Sequence, residues 1–496
     1  MTDHSRVATG IEGLDTILGG GLLERQNVLV RGPPGAGKTV FSLHFLAAAA
    51  TDEATLYINL GEPTTYVERT ADHFELDPDR LTFLELAPTE ERFDEGETYT
   101  LFSSAEVEQP SFVAEVRTTV EELQPERVVI DPITEFRYLT ADDHQFRTQI
   151  LGLLDFLRAA RATVLLTSQA DADLSDTDLR FMTDVVIDLT RTADARTIDV
   201  PKFRGPSVER GPHTYAISES GVDVWPRLLP TGHEADFPAE TIPSGVPELD
   251  QLLDGGLSRG TVTFFSGPTG AGKTTTSLQF IKENAGRGKR ALVLSFEESR
   301  RTMLTRSAAL NIGLGAMVEQ GMVDIVEVRP GQYTSDQLSA IVKSAVDDGT
   351  EIVLFDGFQG FQQNLRGHNG GSTDYFLAIG RYLRERGVTT LITNEVHDIT
   401  GEFRVTEEGV SNLADNIVFL RHLEFDGMMN KVIGVLKMRT SNFEKTIRKI
   451  EFTEYGVSVG APLEGLTGVL TGTPTLKRSH SHPPATTDLH DGEDDR

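Results

Sequence analysis

The chain has 496 residues, 38% of them hydrophobic and 25% charged, enough apolar surface to bury real cores and too much for wholesale disorder. The formal net charge is −30 with a pI near 4.8, the surface of a halophilic protein kept soluble at high salt. That charge opposes nucleic-acid binding, which needs a basic stripe absent from this sequence, and the lack of any cysteine excludes disulfides, zinc ribbons, thiol catalysis and cysteine-held clusters. No apolar run approaches the roughly 18 residues of a membrane helix, and Met1 to Ser5 lacks the parts of a signal peptide, so a cytoplasmic protein without a membrane partner is expected.

Along the chain, Thr9 to Asp15 (TGIEGLD) followed by LGGG opens a pattern that returns as Ser244 to Asp250 (SGVPELD) followed by LDGG, 235 residues later. The same offset links Lys38 with Lys273, Lys202 with Lys437 and Arg204 with Arg439, which argues for a duplication. Short β-branched runs at 27–31, 55–60, 127–130 and 163–167 alternate with helical stretches, and runs at 261–266, 291–296, 351–355 and 389–393 repeat the arrangement. The fold expected is α/β: two tandem domains, each a mainly parallel sheet flanked by helices. The boundaries expected are a first domain over 1–228, a linker over 229–241, a second domain over 242–475 and a disordered acidic tail over 476–496. His480, His482 and His490 in that tail read as solvated histidines and not as a metal site.

Two segments satisfy G-x4-G-K-[ST], each after a predicted strand and before a predicted helix. They are Gly32 to Thr39, with Gly35, Gly37 and Lys38, and Gly267 to Thr274, with Gly270, Gly272 and Lys273. Glycines let the backbone N–H groups cradle phosphates, the lysine reaches the β and γ phosphates, and Thr39 or Thr274 ligates Mg²⁺. Asp131 and Asp356 end apolar strands, where an aspartate can hold the metal's water shell. After the strand that follows each P-loop lie Glu297 and Glu298 in the second copy, but Gly61 and Glu62 in the first; these glutamates are candidate bases for the attacking water. Lys202 with Arg204, and Lys437 with Arg439, are expected on one face of a late strand, serving the triphosphate of an adjacent subunit.

Together these residues resemble the KaiC family of RecA-superfamily ATPases over nearly the whole chain to about residue 475. The tandem P-loops, Glu297 and Glu298, the two Lys-x-Arg segments and the ending over 463–475 carry the resemblance. It implies two RecA-like P-loop NTPase domains and a two-tiered homohexamer with ATP between neighbouring subunits. It also implies a clock-like, signal-transducing ATPase read by partner proteins the sequence does not name. Clock-type members phosphorylate adjacent Ser and Thr residues in the second domain; here the matching positions are Ser411 and Asn412, so two-site phosphorylation is not expected. Ser411 remains a candidate phosphoacceptor with Glu298 as base, and Thr406 a second candidate. Gly61 in place of a glutamate puts hydrolysis by the first domain in question. Three rival readings are a RadA-type recombinase or helicase relative, a scaffold that binds ATP without hydrolysing it, and an autokinase whose phosphorylation is the output.

Overall fold

Strands buried on both faces need apolar side chains at every position, and the runs ending at Gly32, Asp131, Gly267 and Asp356 have that character. The computed structural model describes residues 5–86, 109–140, 142–169, 176–192, 195–228, 236–364, 372–396, 413–425, 428–464, 466–467 and 475–476. These divide into two compact units, the first comprising the described residues up to Leu228 together with Asp336–Ala340 and the second the remainder.

The main sheet of the first unit contains β1 (Asn27–Gly32), β2 (Thr55–Asn59), β3 (Thr82–Glu85), β4 (Arg127–Asp131), β5 (Thr163–Gln169), β6 (Val185–Arg191), β7 (Arg196–Phe203), β8 (His213–Ser218) and β9 (Gly221–Trp225). Their order is β9-β8-β7-β6-β1-β5-β4-β2-β3. From β6 to β3 every pairing is parallel, and β6 to β9 form an antiparallel extension.

The second unit holds β10 (Val262–Gly267), β11 (Arg290–Ser295), β12 (Val323–Glu327), β13 (Thr350–Asp356), β14 (Thr389–Glu395), β15 (Asn416–Phe425), β16 (Met428–Met438), β17 (Arg448–Thr453) and β18 (Gly456–Pro462). Read from its antiparallel edge, its order is β18-β17-β16-β15-β10-β14-β13-β11-β12, the first sheet with nine added to each label. The duplication therefore extends to topology.

Strand alternation sends Val28 and Val30 to one face of the first sheet and Leu29 to the other. Val28 and Val30 pack with Phe41 and Phe45 of the helix Lys38–Ala47. Leu29 joins Phe146, Ile150 and Leu154 of the helix Asp143–Ala159. In the second unit, Phe265 packs with Leu278 and Ile281 of the helix Lys273–Gly286. On the opposite face, Phe264, Phe355, Phe358, Phe361 and Phe376 form an edge-to-face cluster, with ring centroids of Phe358 and Phe376 4.8 Å apart. Both sheets are thus fixed from two sides, with the P-loop strand at the centre.

Arg127, at the start of β4, is buried but fully engaged. Its Nη1 donates to Ala8 O at 2.7 Å and Phe45 O at 2.8 Å, its Nε pairs with Glu53 at 3.0 Å, and the guanidinium lies over the Phe45 ring. Arg127→Met leaves two carbonyls without their donor and is expected to cost about 2–3 kcal/mol. Trp225, the sole tryptophan, lies in the first sheet, so its fluorescence should report unfolding of that domain at lower urea in the variant; an unchanged midpoint would contradict the assignment.

Candidate active sites

Each phosphate loop leaves the C-terminal end of its central strand and enters a helix at the lysine. Gly37 has φ 93° and Gly272 φ 103°, a region strained for any L side chain. A Cβ on Gly37 would meet Ile217 at 2.6 Å, and one on Gly272 would meet the Phe452 ring at 2.1 Å, so neighbouring strands also hold the loop to glycine. Lys38 Nζ donates to Gly32 O at 2.9 Å and Pro33 O at 3.2 Å; Lys273 Nζ donates to Gly267 O at 2.8 Å and Pro268 O at 3.0 Å. Burial lowers both lysines below the ordinary value, opposed by Asp131 at Lys38 and by Glu395, Glu297 and Asp356 at Lys273.

The Thr39 hydroxyl donates to Asp131 Oδ2 at 2.9 Å, and that of Thr274 to Asp356 Oδ1 at 2.7 Å. In both copies the aspartate and the P-loop threonine come together across one intervening strand, β5 or β14. All these donors are oxygens, a set that suits a hard cation such as Mg²⁺. Among the described residues no group of three or more His, Cys, Asp or Glu side chains is arranged to hold a metal. In the first domain a cleft of about 460 Å³ opens between the P-loop, Asp131, Gly61 and Glu62, and Gln169.

Sequence reasoning missed several residues around the aspartates. Thr167 donates to Asp131 Oδ1 and Thr393 to Asp356 Oδ1, the latter at 2.9 Å, from equivalent places on β5 and β14. The Tyr57 hydroxyl donates to Asp131 Oδ2. Burial and that carboxylate push the phenol well above its usual value, which keeps it protonated and a donor. Glu395, at the tip of β14, pairs in register with Gly267 and accepts from Thr269 of the P-loop; the first copy has Gln169 there. The recurrence of a threonine near the end of both predicted strands was the one readable signal.

The turns carrying the candidate bases match in backbone and differ in side chain. Leu60 N donates to Asp131 O and Phe296 N to Asp356 O, both at 2.9 Å. Asn59 Nδ2 reaches Glu62 O as Ser295 Oγ reaches Glu298 O, so Gly61 corresponds to Glu297 and Glu62 to Glu298. Glu297 lies over Gly357, where a Cβ would stand 2.6 Å from its Cγ; a Cβ on Gly61 would stand 2.9 Å from Pro132 Cδ. Pro132 thus fills the space that Gly357 leaves for a glutamate. Burial, then Asp356 and Glu395, raise Glu297 above the usual carboxylate range. Burial also raises Glu298, opposed by Arg306 at 3.0 Å, and Glu298 Oε1 is buried without a hydrogen-bond partner. Glu62 is exposed.

The Lys/Arg pairs lie elsewhere. Lys202 is in β7 opposite Val186, itself level with Leu29, and Lys437 is in β16 opposite Ile417, level with Phe264. Both lie roughly 10 Å back along the central strand from their own P-loop. Arg204 and Arg439 fall just beyond β7 and β16 instead of within them, where they pair with Asp184 at 3.1 Å and Asp415 at 3.6 Å. Lys202 Nζ donates to Arg180 O at 2.6 Å and Lys437 Nζ to Ala414 O at 2.7 Å. The structure therefore does not bring either pair to its own subunit's phosphate loop. Thr406, Ser411, His480, His482 and His490 lie outside the described residues.

The family model described as "ATPase: KaiC" matches residues 7–228 and again 242–464. The chain belongs to the KaiC ATPase family. It is similar to the circadian clock oscillator protein KaiC of Prochlorococcus marinus (strain MIT 9313), 24% identical over 488 residues that cover 95% of each chain. The KaiC of Synechococcus elongatus is 24% identical over 499 residues, covering 96% of this chain and 93% of its own. The circadian clock protein KaiC3 of Synechocystis sp. is 25% identical over 488 residues, covering 95% and 94%. The two sheets are accordingly two RecA-like domains of a P-loop ATPase. No described helix is long and apolar enough to cross a membrane.

A glutamate acting as base must be deprotonated, and Glu297 is raised above the ordinary carboxylate range, so second-site hydrolysis should be lost on acidification sooner than an ordinary carboxylate would allow. Glu395→Gln removes one of the negative charges that raise it. The acid limb of the pH–rate profile should then move to lower pH; an unmoved limb would take Glu297 out of the role.

Proposed function

We propose that this KaiC-family protein is a Mg²⁺-dependent regulatory ATPase that works as a homo-oligomer, a hexamer on the family pattern, with each nucleotide held between two subunits. The observation that carries the reading is the position of Lys202, Arg204, Lys437 and Arg439. They recur in both domains, the arginines pairing with Asp184 or Asp415 and the lysines donating to backbone carbonyls, and they lie back along the sheet from their own P-loop. Cations so placed suit a triphosphate on a neighbouring copy better than that of their own P-loop, and a ring of identical head-to-tail contacts would supply that neighbour.

In this reading Gly32, Gly35, Gly37 and Lys38, and Gly267, Gly270, Gly272 and Lys273, hold the phosphates, while Thr39 with Asp131 and Thr274 with Asp356 hold Mg²⁺. The domains take the boundaries expected from sequence, and the protein works in a salt-rich cytoplasm without nucleic acid. Hydrolysis is faster in the second domain, because Glu297 and Glu298 are buried beside Asp356 whereas the first domain presents only the exposed Glu62. ATP turnover would set conformational states that partner proteins read, as the names of the clock relatives suggest.

Supplying γ-labelled ATP with Mg²⁺ at high salt tests the reading by following released and retained label together. Release without retention is expected. It should fall by 100-fold or more at the second site in Glu297→Gln/Glu298→Gln, on the order of a lost general base, and less in Glu62→Gln. Stable label on Ser411, absent from Ser411→Ala, would instead make autophosphorylation the output; equal loss in both glutamate variants would overturn the ranking of the sites.

A further inference from the structure

The two metal-site aspartates occupy equivalent positions but differ in one neighbour. On β2, Tyr57 lies two residues before Asn59, which pairs with Asp131; on β11, Val293 lies two residues before Ser295, which pairs with Asp356. Both side chains are fully buried. The phenol can donate and the isopropyl group cannot.

The consequence is a different hydrogen-bond count at each carboxylate. Asp356 receives Thr274 at 2.7 Å and Thr393 at 2.9 Å, both on Oδ1, and Oδ2 accepts nothing from a described residue. Asp131 receives Thr167 on Oδ1, and on Oδ2 both Thr39 at 2.9 Å and Tyr57. In each site the oxygen bonded to the P-loop threonine accepts two hydroxyls; the other oxygen of Asp356 accepts none from a described residue, whereas that of Asp131 already accepts Thr167. A water on a bound Mg²⁺ would therefore find more acceptor capacity at Asp356 than at Asp131, and Tyr57 supplies the extra bond that makes the difference. Tyr57 also lines the first cleft beside Lys38 and Thr39. Its side chain is fully buried, so losing Asp131 as acceptor would leave a buried hydroxyl unpaired.

We propose that Tyr57 is a positioning residue that competes with nucleotide-bound Mg²⁺ for Asp131, so that the first domain binds nucleotide with a weaker dependence on Mg²⁺ than the second. This rests on the reading of the first P-loop as an ATP site. It assigns the two domains different responses to divalent ion, with the first able to keep nucleotide when Mg²⁺ is scarce.

Binding of fluorescently labelled ADP to the full-length chain, in EDTA and across a Mg²⁺ titration, tests the proposal. Lys273→Ala leaves only the first site, and Lys38→Ala only the second. Adding Tyr57→Phe to Lys273→Ala should leave affinity in EDTA nearly unchanged, which also shows that the site is folded. It should raise the enhancement by Mg²⁺ about tenfold, the worth of one hydrogen bond to a charged group. With Tyr57 intact, Lys38→Ala should show the steeper Mg²⁺ dependence of the two single variants. Unchanged or reduced enhancement in Tyr57→Phe, or the reverse order between the single variants, would overturn the proposal. No binding at all by Lys273→Ala would overturn the reading of the first site on which it depends.

Discussion

In each domain a single six-residue strand, β1 or β10, runs through the middle of the sheet with the phosphate loop at one end, the lysine of a Lys/Arg pair level with its third residue and the arginine further back. Its length is fixed by the strand's rise, and its place by side chains packed on both faces, so neither end can be brought to the other. Most of the site's chemistry follows from that polarity. The P-loop, the metal-site aspartate and the glutamates collect at the C-terminal edge, where open α/β sheets bind ligands. The cations at the opposite edge are held on Asp184, Asp415 and backbone carbonyls of the helix end or turn beside them. In the proposed function a complete phosphoryl-transfer site draws on both edges, and so on two subunits.

Within this shared frame the two copies have diverged at a few side chains that decide chemistry. The backbone bonds joining Leu60 to Asp131 and Phe296 to Asp356 have the same length, so the carboxylates start from the same position. Around them, Gly61 and Pro132 replace Glu297 and Gly357, Gln169 replaces Glu395, and Tyr57 replaces Val293. Two of these changes leave the first site without an acid, one puts the Pro132 ring where Glu297 has its space, and one gives Asp131 an extra hydroxyl partner; the proposed ranking of the two sites rests on them.

The architecture was legible because duplication supplied a control, with P-loops, strand-ending aspartates and Lys-x-Arg segments recurring at one offset. The placing of Lys202 and Lys437 in a late strand was also readable, although the arginines stand just outside the strands assigned to them. The residues that distinguish the sites were not readable. Tyr57 meets Asp131 across 74 residues of sequence and Thr167 meets it across 36. In a strand buried on both faces a tyrosine looks like one more apolar residue. The loss of a glutamate at Gly61 was visible, but its cause, the ring of Pro132 in the space the side chain would need, required the neighbouring strand to be in place. Glu395 resembled any acid at a strand end in a chain this acidic.

The most direct test of completion in trans is to mix two chains, Lys273→Ala and Lys437→Ala/Arg439→Ala, each defective at the second site for a different reason. If every site takes its P-loop from one subunit and its cations from the next, random co-assembly should restore second-site turnover to about a quarter of the wild-type rate, above the first-site background. Activity in the mixture no greater than the sum of the separate chains, under conditions where they are shown to co-assemble, would contradict it.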